Sequence, residues 1–180
     1  RGVARVRGGV GPGALSFDNT RDAFVRVGTG TNDNFSVTDG LTIEAIIVHE
    51  WSGDLGDSDV IFRKEDHGDW IAFEFQHDAD DSTRDVAIFP GEQPVLSFGL
   101  NVGGVYSELD MPLDGQEGRP LLADLIGSPH HVAATHDVGS GETAIWIDGA
   151  TVFSAQLGAG AAMHSGGTHN AYLGVVTALS

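Results

Sequence analysis

Pro129-His130-His131-Val132-Ala133-Ala134-Thr135-His136-Asp137, followed by Ala144-Ile145-Trp146-Ile147-Asp148-Gly149, constrains the fold more than any other part of this chain. The first segment reads as a strand. It puts His131, Ala133, Thr135 and Asp137 on one face and His130, Val132, Ala134 and His136 on the other, the period of two of a pleated strand. A Gly/Ser turn leads to a second strand, Ala144 to Ile147. Asp148-Gly149 then reads as a tight hairpin, because both central residues of such a turn need positive φ, which suits Asp and Gly. A third strand follows from Val152 to Leu157. Ile145 and Ile147 share one face, so Trp146 faces the opposite way.

The rest of the chain repeats this grammar. Strands are expected at Ala14–Asp18 and Ala23–Val27, paired across the turn Asn19–Asp22. Others are expected at Leu41–Val48, Val60–Lys64, Trp70–Gln76, Asp85–Phe89, Val95–Val102, Val105–Met111 and Ala171–Gly174. Leu41, Ile43, Ala45 and Ile47 alternate with Thr42, Glu44, Ile46 and Val48. The second set is half apolar, which predicts a strand covered on both faces. Gly103-Gly104 marks a tight hairpin, and Ala123–Ile126 a short helical turn. About a dozen short strands with no helix of ordinary length predict an all-β sandwich or barrel.

Composition sets the limits. The 180 residues suit one domain with a real core. Nine basic residues against 26 acidic ones give a formal net charge of −17. Such a field repels phosphate backbones and anionic lipid surfaces, so nucleic-acid and membrane-surface binding are excluded as expectations. It attracts cations such as calcium. No cysteine is present, which excludes disulfides, thiolate chemistry and Cys-based zinc sites. No apolar run reaches the roughly 20 residues of a membrane span. Arg1–Val10 lacks the apolar core of a secretory signal.

Five segments resemble laminin-G-like, concanavalin A-type jelly-roll domains. Gly11 to Thr20 resembles their ALxFDGxxD opening, and Phe35 to Ala45 their FTIEAWV strand. His130 to Asp137 is similar to HHVAxTYD, Ala144 to Gly149 to xLYVDG, and Tyr172-Leu173-Gly174 to xYIG. The resemblance runs in order over residues 12–174. Residues 1–11 are then a linker or edge segment, and 175–180 a tail in which the family's closing GxIDEVRIY strand is absent. Asn19 stands where the family has Gly, and Ile46 where it has Trp. The resemblance implies two antiparallel sheets packed face to face, with binding on the concave sheet or its rim. It also implies a carbohydrate or protein ligand, often a calcium ion, and an extracellular, periplasmic or cell-surface location.

Candidate sites follow. Trp51, Trp70 and Trp146 offer rings for sugar stacking. Trp51 and Trp146 are the expected ligand residues, with His164 and His169 on a Gly-rich rim loop. The rim cation of the family would fall to Asp18 and Asp22, with Asp137 or Asn170 as a distant partner. The acidic run Glu74–Asp85 faintly resembles a legume-lectin metal loop, but Gln76 stands where the second carboxylate belongs. The same run lacks the spacing of a glycosidase pair. His130 and His131 point to opposite faces and cannot chelate one ion. No G-x-S-x-G elbow or H-E-x-x-H pattern occurs.

The expectation is a non-catalytic binding module for carbohydrate or protein, assisted by calcium. The alternatives are a glycoside hydrolase or lyase of the same fold, and a structural or self-assembling module using an open sheet edge.

Overall fold

The computed structural model describes residues 4–6, 14–17, 23–27, 37–55, 58–66, 69–78, 91–164 and 170–174. The fold is the expected all-β, antiparallel two-sheet sandwich. Its strands are β1 (Ala4–Val6), β2 (Ala14–Ser16), β3 (Phe24–Arg26), β4 (Gly40–Val48), β5 (Asp59–Asp66), β6 (Asp69–Asp78) and β7 (Gln93–Val102). They continue with β8 (Val105–Pro112), β9 (Pro129–Asp137), β10 (Glu142–Ile147), β11 (Ala150–Gln156), β12 (Met163–His164) and β13 (Ala171–Gly174). A single helical turn, α1 (Leu122–Leu125), lies between β8 and β9.

One sheet has the order β11-β10-β9-β4, and a larger one β12-β7-β6-β5-β13-β3 with β8 on β7. β6 pairs along β7 from Gln93 to Leu100, and β12 pairs with its last two residues, Asn101 and Val102. The β9–β10–β11 meander forms as the sequence predicts. Asp148 (φ 50°) and Gly149 (φ 82°) make its two-residue hairpin. Asp148 also anchors the start of β9, its carboxylate accepting from His131 N at 3.0 Å and meeting His130 Nδ1 at 2.8 Å.

The core lies between the sheets. Ile71, Phe73 and Phe75 of β6, Leu96, Phe98 and Leu100 of β7, and Leu109 and Met111 of β8 are buried on the inner face of the large sheet. Val132, Ala134, Ile145 and Ile147 meet them from the small sheet. Each set is spaced by two residues, so pleating alone delivers it to one side. Phe73 and Phe98 meet edge to face, centroids 6.1 Å apart. Each ring of this kind contributes roughly 2 kcal/mol by leaving water.

Two expectations are corrected. β2 and β3 do not pair with each other: β2 pairs with β1, and β3 with β13. The local turn signal was outweighed for β2 by the segment just before it and for β3 by a strand near the far end of the chain. β4 is not covered on both faces, since Ile46 and Val48 are each 56% exposed. Among the described residues β4 is an edge strand, and Leu41, Ile43, Ala45 and Ile47 turn toward the core. β7 is buried on both faces, every residue from Val95 to Val102 being buried, as are residues 71–75 of β6. The strand expected at Asp85–Phe89 and the tail 175–180 lie outside the described residues.

Candidate functional site

The outer face of the small sheet is assembled by register. Thr42, Thr135 and Ala144 form one row across β4, β9 and β10. Glu44, Ala133 and Trp146 form the next. Trp146 points away from the core because its neighbours Ile145 and Ile147 point into it. Its indole Nε1 donates to Thr135 Oγ1 at 3.1 Å. That bond runs diagonally from one row to the next, so the ring lies along the sheet rather than standing up from it. Ala133 and Ala144, its neighbours on this face, are buried, while Trp146 itself is half-buried. A shallow, open cavity of about 420 Å³ lies here, lined by Gly40, Thr42, Thr135, Asp137, Glu142 and Trp146 together with Leu41 and His136.

The β9–β10 turn sets the rim. Asp137 Oδ1 accepts from Ser140 N and Ser140 Oγ, both at 2.7 Å, and these bonds hold its carboxyl below the usual carboxylate range. Gly141 N donates to Asp137 O at 2.7 Å, and Gly141 O accepts from Leu157 N at 2.8 Å. Glu142 thereby leaves the turn at a set position, with an exposed side chain. His136 is buried, its Nδ1 2.8 Å from Thr143 Oγ1. Thr143 Oγ1 also lies 3.4 Å from Gly141 O, which ties the His136 pair to the turn. Burial pushes the His136 pKa down, against a smaller opposing effect of Asp137.

A second cluster lies on the outer face of the large sheet. Register aligns Glu74, Ser97 and Asp110 in one row and Ala72, Gly99 and Glu108 in the next. Asp78, Glu108 and Asp110 each place a carboxylate oxygen within 4.8 Å of the others. Glu108 is 6% exposed and Asp110 0%. Tyr106 Oη donates to Glu108 Oε1 at 2.9 Å, and Arg63 Nη1 lies 3.7 Å from Glu74 Oε2. Burial, with the Glu108 charge second, pushes the Tyr106 phenol above its usual range. Gly99 carries no side chain because the Tyr106 hydroxyl and ring occupy the space a Cβ would need. Hard cations take six to eight oxygens at about 2.3–2.6 Å. Asp78, Glu108 and Asp110 are the described residues that could supply several of them.

The residues expected from sequence fall apart in space. Trp51 is 2% exposed and belongs to the core, so its ring offers no face to a ligand. Trp146 lines the cavity. His164 is exposed on β12, in the large sheet rather than beside Trp146. Asp137 ends β9 of the small sheet, whereas Asn170 precedes β13 of the large one. Asp18, Asp22 and His169 lie outside the described residues. His130 and His131 diverge as expected, to Asp148 and to Glu44. Glu108 and Asp110 were missed. Their signal was present, a Glu-x-Asp pair at the strand period in Val105–Pro112, but only the β6–β7–β8 register brings them to Asp78. Glu142 was missed because nothing in its own neighbourhood points to a groove.

No protein-family model matches this chain, and no curated protein matches it. Among solved structures it is similar to the native heptameric SAP-like pentraxin from Limulus polyphemus. The identity is 14% and the TM-score 0.41, over 83% of this chain and 62% of that one. The chain thus spans less than two thirds of that pentraxin's length.

Proposed function

We propose that this chain is a non-catalytic binding module that takes a saccharide on the outer face of its small sheet. The observation that carries this reading is Trp146. It is an indole laid along the sheet, its N–H satisfied within the protein, its outer face bordering a cavity with threonine hydroxyls and two carboxylates. A pyranose presents an apolar C–H face that suits such a ring and hydroxyls that suit Thr42, Thr135 and the carboxylates.

Calcium assistance belongs to the same proposal, with Asp78, Glu108 and Asp110 as the ligands in place of the rim set expected from sequence. The cation would neutralise converging carboxylates and stiffen β6 against β8. An exported or surface location remains part of the proposal, as the resemblance implies.

A glycan array run with and without calcium tests the reading, using wild type and Trp146→Ala. Wild type binds a subset of glycans, and the variant loses at least about tenfold in affinity, the scale of one aromatic anchor. Binding unchanged in the variant, or no glycan bound under either condition, ends it. A calcium-dependent rise in Tm that Asp110→Asn abolishes supports the cation site; no rise removes it.

A second reading, self-association, is favoured by β4. It is an edge strand among the described residues, nine residues long, without Pro or Lys, and it exposes Ile46 and Val48. Such an edge can accept a strand from another copy. Solution mass across a concentration series, with Ile46→Lys as the control, distinguishes a dimer from a strict monomer.

A further inference from the structure

The groove beside Trp146 is anionic by construction. The four strands of the small sheet, β4, β9, β10 and β11, contain no Lys or Arg. Two carboxylates, Asp137 and Glu142, line the cavity, and Glu44 stands on the same face beyond Ala133. The chain as a whole carries −17. Among the described residues of this sheet, a uronic acid or sulfated sugar would meet like charge with no Lys or Arg to offset it, His131 being paired with Glu44. A sugar bearing an ammonium group would meet two carboxylates.

We propose that the groove selects amino sugars with free, protonated amines: the ring stacks on Trp146 and the ammonium pairs with Glu142. This inference rests on the saccharide reading above and names its ligand class. Asp137 contributes charge from a fixed place, because its Oδ1 is tied into the turn by Ser140. Glu142 is the residue free to reach an incoming group, its exposed side chain standing at the first position of β10. The threonine hydroxyls at Thr42 and Thr135 serve the ring oxygens and hydroxyls. Trp146 is the one aromatic residue among those lining the cavity, so the site lacks the ring cage that would hold a bare alkylammonium such as a lysine side chain. It is suited to a flat ring carrying the charge.

The test is calorimetric titration with glucosamine oligomers and N-acetylglucosamine oligomers of equal length. Both are run with calcium and, separately, in EDTA, at a pH below the amine pKa, with tetralysine as a third ligand. The deacetylated oligomer binds about five- to tenfold more tightly than the acetylated one, the effect of one or two partly exposed charge pairs. Raising the salt concentration narrows that gap. Glu142→Gln removes most of the preference, weakening the amino oligomer several-fold more than the acetylated one, while Trp146→Ala weakens both alike. Glu142 is exposed and only its backbone enters the turn, so the variant keeps the fold. Equal affinities for the two oligomers, or a preference that survives Glu142→Gln, overturn this inference and leave the saccharide reading standing. Tetralysine binding as tightly as the amino oligomer also overturns it, in favour of a basic peptide. Binding of neither oligomer overturns both.

Discussion

Gly141 and Gly149 sit in the two turns that bound β10, and they differ in one respect. Gly141 has φ +76° and Gly149 has φ +82°, so an alanine at either enters the left-handed region. That costs about 1–2 kcal/mol. A Cβ on Gly149 meets nothing within 4 Å. A Cβ on Gly141 meets Ala159 N and Cα at 2.8 Å and Ala159 Cβ at 3.1 Å. Two of these are backbone atoms, which cannot rotate aside. The turn is also held by Gly141 N to Asp137 O and by Leu157 N to Gly141 O. Relief therefore has to move hydrogen-bonded chain, at the roughly 1–3 kcal/mol of an overpacked site. Gly149→Ala costs about 1–2 kcal/mol and Gly141→Ala about 2–5. The entropic gain from replacing glycine in the unfolded chain is common to both and cancels in the difference. Urea unfolding followed by far-UV circular dichroism reads the contrast. With m near 2 kcal/mol/M, the midpoints differ by about 0.5–1.5 M. Coincident midpoints would refute the argument that Ala159 backbone sets the limit at Gly141. Because the same turn carries Asp137 and Glu142, Gly141→Ala also weakens ligand binding more than Gly149→Ala does.

Three further outcomes are expected. Burial holds His136 neutral and lowers its folded pKa, so the unfolded chain binds a proton that the folded chain refuses. Stability is therefore lost as pH falls from about 6.5 toward the folded value. Urea midpoints at about pH 7 and pH 5 should drop more in wild type than in His136→Gln; equal drops would count against it. Asp114 takes Arg119 in a fork, Nε at 3.0 Å and Nη2 at 2.9 Å, and its pKa is lowered chiefly by that hydrogen bond. Its contribution, about 0.5–1 kcal/mol, is present above about pH 3.9 and lost as pH falls through the folded value. The gap between wild type and Asp114→Asn should close in acid, and a gap independent of pH would disprove the assignment. Gly99→Ala displaces the Tyr106 ring and breaks its bond to Glu108, costing about 1–3 kcal/mol. In a Tyr106→Ala background the same change should cost much less, and an additive double-mutant cycle would rule the contact out.

The strands themselves were legible in the residues. The β9–β10–β11 meander and the β7–β8 hairpin follow from two-residue spacing and from Asp148-Gly149 and Gly103-Gly104, all local features. The direction in which Trp146 points followed from Ile145 and Ile147 for the same reason. Pairings between distant segments were not legible: β3 with β13, β6 with β7, and β4 as an edge. Ile46 and Val48 read as core because composition reports apolarity, while exposure depends on what lies across the sheet. Trp51 read as a ligand platform for the mirror-image reason, since an aromatic residue between strands gives no sign of which way it packs.

Alternation along the chain determined that there would be two-faced strands, which face of each was apolar, and hence a sandwich of antiparallel sheets. A residue's neighbours at i±2 are set by backbone geometry, and that information is wholly local. Register between strands is set by which apolar faces can close over one another, a property of the assembled sheets. That closure brought Asp78 to Glu108 and Asp110, and placed Glu142 and Thr42 around Trp146.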